Sequence, residues 1–250
     1  MKERVNKRYT MKAKRGGQRG YIDMKNAGNT AELYLYGDIV DDELTAAWYG
    51  GNYPQEIADF MNSLAPNEPV TIYFNSPGGD VFAGMAIYNI LKRHQGKKTG
   101  YVDGMAASIA SVIFMACDER VVNTGAQLMV HNPWGYCVGN AEQFRAFAEE
   151  LDKAAESIID VYETCALDGV DRDKIKELMD AETWMRGEEA AKYFELETRE
   201  GAAAAACASE LFATFKNLPE SLKRQEEKRK EDKQREKDLL DDLCLYGTRN

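Results

Sequence analysis

The chain has 250 residues and a formal net charge of −10, and 44% of it is hydrophobic and 10% aromatic. That composition excludes a disordered polymer and suits one main domain with a sizeable core, and the acidic balance argues against nucleic-acid binding by the domain itself. No stretch approaches the roughly eighteen apolar residues of a membrane span, and no apolar signal core follows the basic start, so a cytoplasmic location is expected.

Residues 1–30 read as a basic N-terminal arm. Eight Lys or Arg stand against Glu3 alone within residues 1–19, which suits a solvated leader better than an arm contacting nucleic acid or an acidic partner. The folded domain is expected over residues 31–215. It opens with strand-like AELYLYGDIV (31–40) and a helix around 54–64 whose Ile57, Phe60, Met61 and Leu64 share one face. A strand over 70–75 follows, then the turn Asn75-Ser76-Pro77-Gly78-Gly79, then a helix carrying Met85, Ile87, Ile90 and Leu91. A strand-like stretch ending at Gly104 precedes a small-residue helix, MAASIASVIFMAC, and two short apolar runs lie in ERVVNTGAQLMVHNP. Strands alternating this regularly with helices indicate βαβ units and parallel pairing.

From Ala141 to Leu167 a long amphipathic helix is expected, with Phe144, Phe147, Leu151, Ala154, Ile158, Val161, Tyr162 and Cys165 on one stripe. The stripe suits core packing or a projecting helix that meets a partner. Residues 216–250 read as a charged tail; Lys223 to Asp238 are sixteen residues without an apolar side chain, a solvated helix or a disordered segment. The cysteines, Cys117, Cys137, Cys165, Cys207 and Cys244, lack CxxC or metal-ligand spacing, and two histidines cannot complete a zinc set. They are expected as buried thiols, with no metal and no cofactor.

With two histidines the search for a base is short. His94, in LKRHQG, belongs at a helix end beside Lys92 and Arg93, where a capping role is ordinary. His131 follows the apolar run QLMV and precedes Asn132-Pro133, so it belongs at a strand end, held rigidly and able to reach a cleft. Between them lies GMAASIASVIF, with Ser108 near the start of a helix, where free N–H groups and the helix dipole favour an oxyanion. Each feature alone has an ordinary structural reading. Together, a serine at a helix start, a histidine at a strand end and a glycine turn are the parts that acyl transfer demands. Gly79 and Ile109 would then supply the two N–H groups of an oxyanion hole.

The strings YFNSPGGDVFAGMAIYNIL, GMAASIAS, LMVHNPWG followed by GNAEQF, and ETWMRGEEAAKYF resemble, in order and with similar gaps, the Clp protease proteolytic subunit (ClpP) family over about residues 31–197. The resemblance implies an α/β fold, a spiral of ββα units shared with crotonases and carrying a long projecting helix. It also implies homo-oligomeric rings of seven subunits, stacked into a barrel around a chamber, and a serine endopeptidase acting on polypeptides. By motif, Ser108 matches the nucleophile, His131 the base, and Gly79 with Ile109 the oxyanion-hole donors. Register from Trp184 places Glu182 at the acid position, with Asp180 as a near neighbour able to substitute.

Departures from the pattern are Asn132 where the family has glutamine, WGYCVG for LGGYQG, and both extensions. The extensions and the Glu-Thr-Trp string look like the head-maturation (prohead) proteases of bacteriophages, which would make the substrate a capsid or scaffold protein. Otherwise the partner is a AAA+ unfoldase feeding unfolded proteins. Two alternatives stand beside the peptidase: a crotonase-like acyl-CoA enzyme, and a catalytically inactive ring-forming scaffold component.

Overall fold

The computed structural model describes residues 31–200 and 209–224, further helical residues as far as 235, and two short strands nearer the start, β1 (Arg8–Tyr9) and β2 (Ile22–Asp23), paired antiparallel. The expectations for most of the basic arm and much of the charged tail, and for Cys207 and Cys244, fall outside the described residues.

The domain is a mixed α/β fold on one seven-stranded sheet. Its spine runs β3 (Ala31–Tyr36), β4 (Val70–Ser76), β5 (Lys98–Ala107), β6 (Glu119–Asn123) and β9 (Glu197–Arg199), every neighbour parallel. β5 is long enough to serve two partners. Thr99 to Val102 pair with β6, and Met105 to Ala107 pair with β7 (Gln127–Val130), which pairs antiparallel with β8 (Thr183–Arg186). β5 thus passes from one partner to the other between Val102 and Met105.

Parallel strands need crossovers, and helices supply them. They are α1 (Glu43–Tyr49), α2 (Pro54–Ser63), α3 (Val81–Arg93), α4 (Ile109–Phe114), α5 (Ala141–Glu163), α6 (Arg172–Asp180) and α7 (Gly187–Ala190). Leu33, Leu35, Ile72, Phe74 and Val102 alternate onto the helical face of the sheet and are fully buried against Ile57 of α2, Ile87 and Leu91 of α3 and Val112 and Phe114 of α4. Each such side chain contributes about 1.5–3 kcal/mol on burial, and Phe74 and Phe114 add an edge-to-face contact at 5.3 Å.

Three expectations are corrected. The stretch around Gly104 is not a strand end: β5 continues through Ala107, and only Ile109–Phe114 of the expected small-residue helix is helical. Pairing with β7 keeps Met105 to Ala107 extended despite their helix-favouring side chains. The long helix stops at Glu163 and not at Leu167, because Thr164 caps it and the following residues turn toward α7 and Phe194. Of the thiols, Cys117 and Cys165 are buried, whereas Cys137 is only half-buried in the loop before α5. Burial pushes Cys117 up to about 12, so it is no nucleophile. Helices α1 and α6 did not stand out in the sequence pattern; both carry an Asp cap, at Asp42 and Asp171. Among the described residues no helix is long and apolar enough to cross a membrane.

Candidate active site

Ser108 makes the turn between β5 and α4. The strand is paired as far as Ala107 and the helix starts at Ile109, so one residue must reverse the chain, and Ser108 does so at φ 55°, ψ −133°. Such a conformation costs a non-glycine residue on the order of 1–3 kcal/mol and persists only where the surroundings impose it. Here the Ser108 N–H donates to the Met129 carbonyl at 3.0 Å. Ser111 Oγ lies 2.6 Å from the Ser108 carbonyl, 3.0 Å from the Met129 carbonyl and 2.7 Å from Tyr162 Oη. Its one proton goes to a carbonyl, so Tyr162 donates to it. This fully enclosed pair ties the turn to β7 and to α5.

The end of β7 delivers His131, whose Nε2 lies 2.7 Å from Ser108 Oγ. With its proton on Nδ1, the ring accepts from the hydroxyl, the geometry a general base requires. Burial holds His131 below the ordinary imidazole range; Glu182 pulls it up and Lys216 pushes it further down. The resting ring is therefore neutral at pH 7 and able to take a proton.

The glycine turn closes against the same point. Gly78, at φ 97°, has no room for a side chain: a Cβ there would stand 2.7 Å from Ser108 Cβ and 3.2 Å from the Ile109 nitrogen. Gly79, at φ 147°, bridges to Ile39, and a Cβ would stand 2.0 Å from the Ile39 carbonyl oxygen. The Gly78 N–H is turned to Ser76 Oγ at 3.2 Å. The two glycines thus let the backbone after β4 lie directly on the serine turn.

The two acid candidates part company. Asp180 accepts from Asn132 Nδ2 at 2.7 Å, at the end of α6. Glu182 is buried at φ 47° and its carboxylate accepts from the backbone N–H of Asn217 at 2.6 Å and of Lys216 at 3.0 Å. Among the described residues no hydrogen bond joins either acid to His131. The strand pattern therefore brings Ser108, His131 and Ile109 together with Gly78 against the serine turn, Gly79 is the next residue along and lies against Ile39, and Glu182 is near but engaged elsewhere. His94 is remote, its Nε2 2.7 Å from the Glu68 carbonyl at the end of α3.

Several neighbours were not legible in the sequence. Phe215 lies edge-on to His131 at 5.7 Å and to Trp184 at 5.5 Å, although residues 211–222 followed an alanine run and promised nothing. Ser111 was within reach, three residues past Ser108 in a helix. Its partner Tyr162, 51 positions away, was not.

A family model described as Clp protease matches residues 52–194. An ATP-dependent Clp protease proteolytic subunit of Bacteroides fragilis is 27% identical over 190 residues, 73% of this chain and 91% of that protein. One from Bacteroides thetaiotaomicron is 30% identical over 163 residues, covering 64% and 70%. Subunit 1 from Chlamydia muridarum is 33% identical over 138 residues, covering 54% and 71%. The matched region holds Ser108, His131, Gly79, Ile109 and Glu182 and stops before the segment that carries Phe215.

Proposed function

The chain belongs to the Clp protease family, and we propose that it is a serine endopeptidase in which Ser108 attacks the peptide carbonyl and His131 takes its proton and returns it to the leaving amine. The observation that carries this reading is the 2.7 Å approach of His131 Nε2 to a serine hydroxyl held in a strained turn. The N–H groups of Gly79 and Ile109 hold the oxyanion; losing one such donor typically slows a hydrolase by about 10²- to 10³-fold. Glu182 is the acid of the triad: it acts on His131 through its charge in this structure, and it would orient the imidazole and stabilise imidazolium once its carboxylate is free of the Lys216 and Asn217 N–H groups. A crotonase-like enzyme uses the two N–H groups and needs no bonded serine and histidine, so the Ser108–His131 contact favours the peptidase.

The substrates are polypeptides and the working particle is a ring of copies of this chain, in the manner of the family. The exposed aromatic and aliphatic surface of Trp134, Tyr136, Val138 and Phe144, around the start of α5, supports contact between copies. The Glu-Thr-Trp string at 182–184 and the charged extensions support processing of phage capsid or scaffold proteins over degradation fed by an unfoldase.

A fluorophosphonate probe tests the chemistry. Wild type is labelled on Ser108; Ser108→Ala and His131→Ala lose labelling and casein cleavage while keeping their circular dichroism spectra, and His94→Ala keeps both activities within about twofold. Labelling that survives His131→Ala, or is lost equally in His94→Ala, overturns the assignment. Intact-mass spectrometry of co-expressed capsid and scaffold proteins tests the phage role.

A further inference from the structure

The sheet has a second apolar face. Along β5, β7 and β8 successive side chains point to opposite sides: Ala106, Leu128 and Met185 join the main core, and Met105, Ala107, Met129 and Trp184 form a separate cluster on the other side. His131, two residues beyond Met129, follows in register on that second side, and the side chain that meets its ring is Phe215 of the same cluster. What covers the face is the chain's own Ser209–Leu222, which buries Phe212, Phe215, Leu218 and Leu222 there.

The segment does more than cover apolar surface. Its backbone donates both N–H groups of Lys216 and Asn217 to the Glu182 carboxylate, and Asn217 Nδ2 donates to the Ala181 carbonyl at 2.8 Å. At its start, the Ser209 hydroxyl accepts from the Leu211 N–H at 3.1 Å and caps the short turn that carries Phe212. Charge-assisted bonds such as the two on Glu182 are the strong ones. A carboxylate so satisfied has no reason to turn to an imidazole, and His131 and Glu182 are left without a hydrogen bond between them.

We propose that the face formed by Met105, Ala107, Met129 and Trp184 is a peptide-docking surface occupied by residues 209–222 of the same chain, and that this occupant holds Glu182 off His131, so that its displacement completes the catalytic triad. The inference rests on the peptidase reading above and adds to it a built-in restraint. Displacement exchanges two backbone donors on Glu182 for the Nδ1–H of His131 and removes the positive charge of Lys216 from beside the ring. Glu182 and Lys216 are the charged groups that act on His131, and both changes favour imidazolium. The segment is the natural occupant because its apolar side chains match the face and its backbone matches the carboxylate. An extended peptide with an aromatic residue, supplied by substrate or by a neighbouring copy, would compete for the same contacts.

The test uses the full-length chain. Phe215→Ser with Leu218→Ser weakens docking, and Asn217→Pro alone removes one donor to Glu182 while leaving the apolar contacts. Two readouts follow: NMR titration of His131, identified by the loss of the other imidazole signal in His94→Gln, and the rate of fluorophosphonate labelling of Ser108. Release is expected to raise the His131 titration midpoint and to speed labelling at neutral pH by about tenfold or more, with Asn217→Pro intermediate. A synthetic peptide of residues 209–222, added to the released variant, is expected to restore slow labelling. An unmoved or lower midpoint, unchanged or slower labelling in folded variants, or no effect of the peptide would overturn the proposal. If the midpoint rises and the peptide reverses it while Ser108 is never labelled, docking stands and the peptidase reading fails.

Discussion

At Ser108 the chain accepts a conformation that costs free energy, and two side chains behind it hold that conformation. Tyr162→Phe removes the donor to Ser111 and leaves a buried hydroxyl with one partner fewer, a loss of about 1–3 kcal/mol. The variant is expected to melt several degrees lower and to label more slowly on Ser108 with substrate KM little changed. A positioning role shows in kcat, whereas a purely structural role shows in melting alone. The second prediction at this scale concerns pH. Because burial depresses His131 below the ordinary imidazole range, its neutral form persists to lower pH than free imidazole, and labelling is expected to fall only as pH drops through that depressed value. Stability changes with the same sign. In the interval between the unfolded and folded values the unfolded chain binds the proton and the folded one does not, so stability declines as pH falls through it and levels off below. A rate midpoint at or above the ordinary imidazole range contradicts this environment for His131.

Among the elements, α5 divides into two parts with different tasks. Its last two turns carry Ile158, Ile159, Val161 and Tyr162 into the core, whereas Phe144 is 52% exposed and Phe147 and Leu151 are only half-buried. The stripe legible in the sequence is real, yet it does not face one partner along its length. The capping box at Asn140 and Gln143 starts the helix without help from packing, which lets the first half stand away from the domain. Phe144→Asp with Leu151→Asp is therefore expected to yield smaller particles by light scattering with a melting temperature near wild type. Ile158→Asp buries a charge and is expected to cost about 3 kcal/mol or more. Equal unfolding by both would make the first half of the helix ordinary core.

For the molecule as a whole, one arrangement explains why the site forms where it does. β5 ends between β4 and β7, so the turn after β4 and the end of β7 converge on the residue that follows β5. Gly78, Ser108 and His131 are separated widely in sequence and brought together by three parallel neighbours in one sheet. The segment after residue 208 then closes the opposite face of that sheet, and the packed domain runs on to Leu222.

Sequence alone determined the pieces whose physics is local. Alternating apolar residues identified β3 and β4, the stripe on α2 identified its buried face, and Asn-Ser-Pro-Gly-Gly identified a turn that only glycine can make. It also marked Ser108, His131, Gly79 and Ile109, because each sits in a motif at an element boundary. Tertiary structure decided everything that depended on distant partners. Pairing with β7 turned Met105 to Ala107 into strand against their propensity, a hydroxyl on α5 braced the serine turn, and Phe215, Lys216 and Asn217 reached the site from a stretch with no periodicity to announce it. Local pattern records which surface a residue wants to bury. Which partner meets that surface is settled only when the sheet brings the segments together.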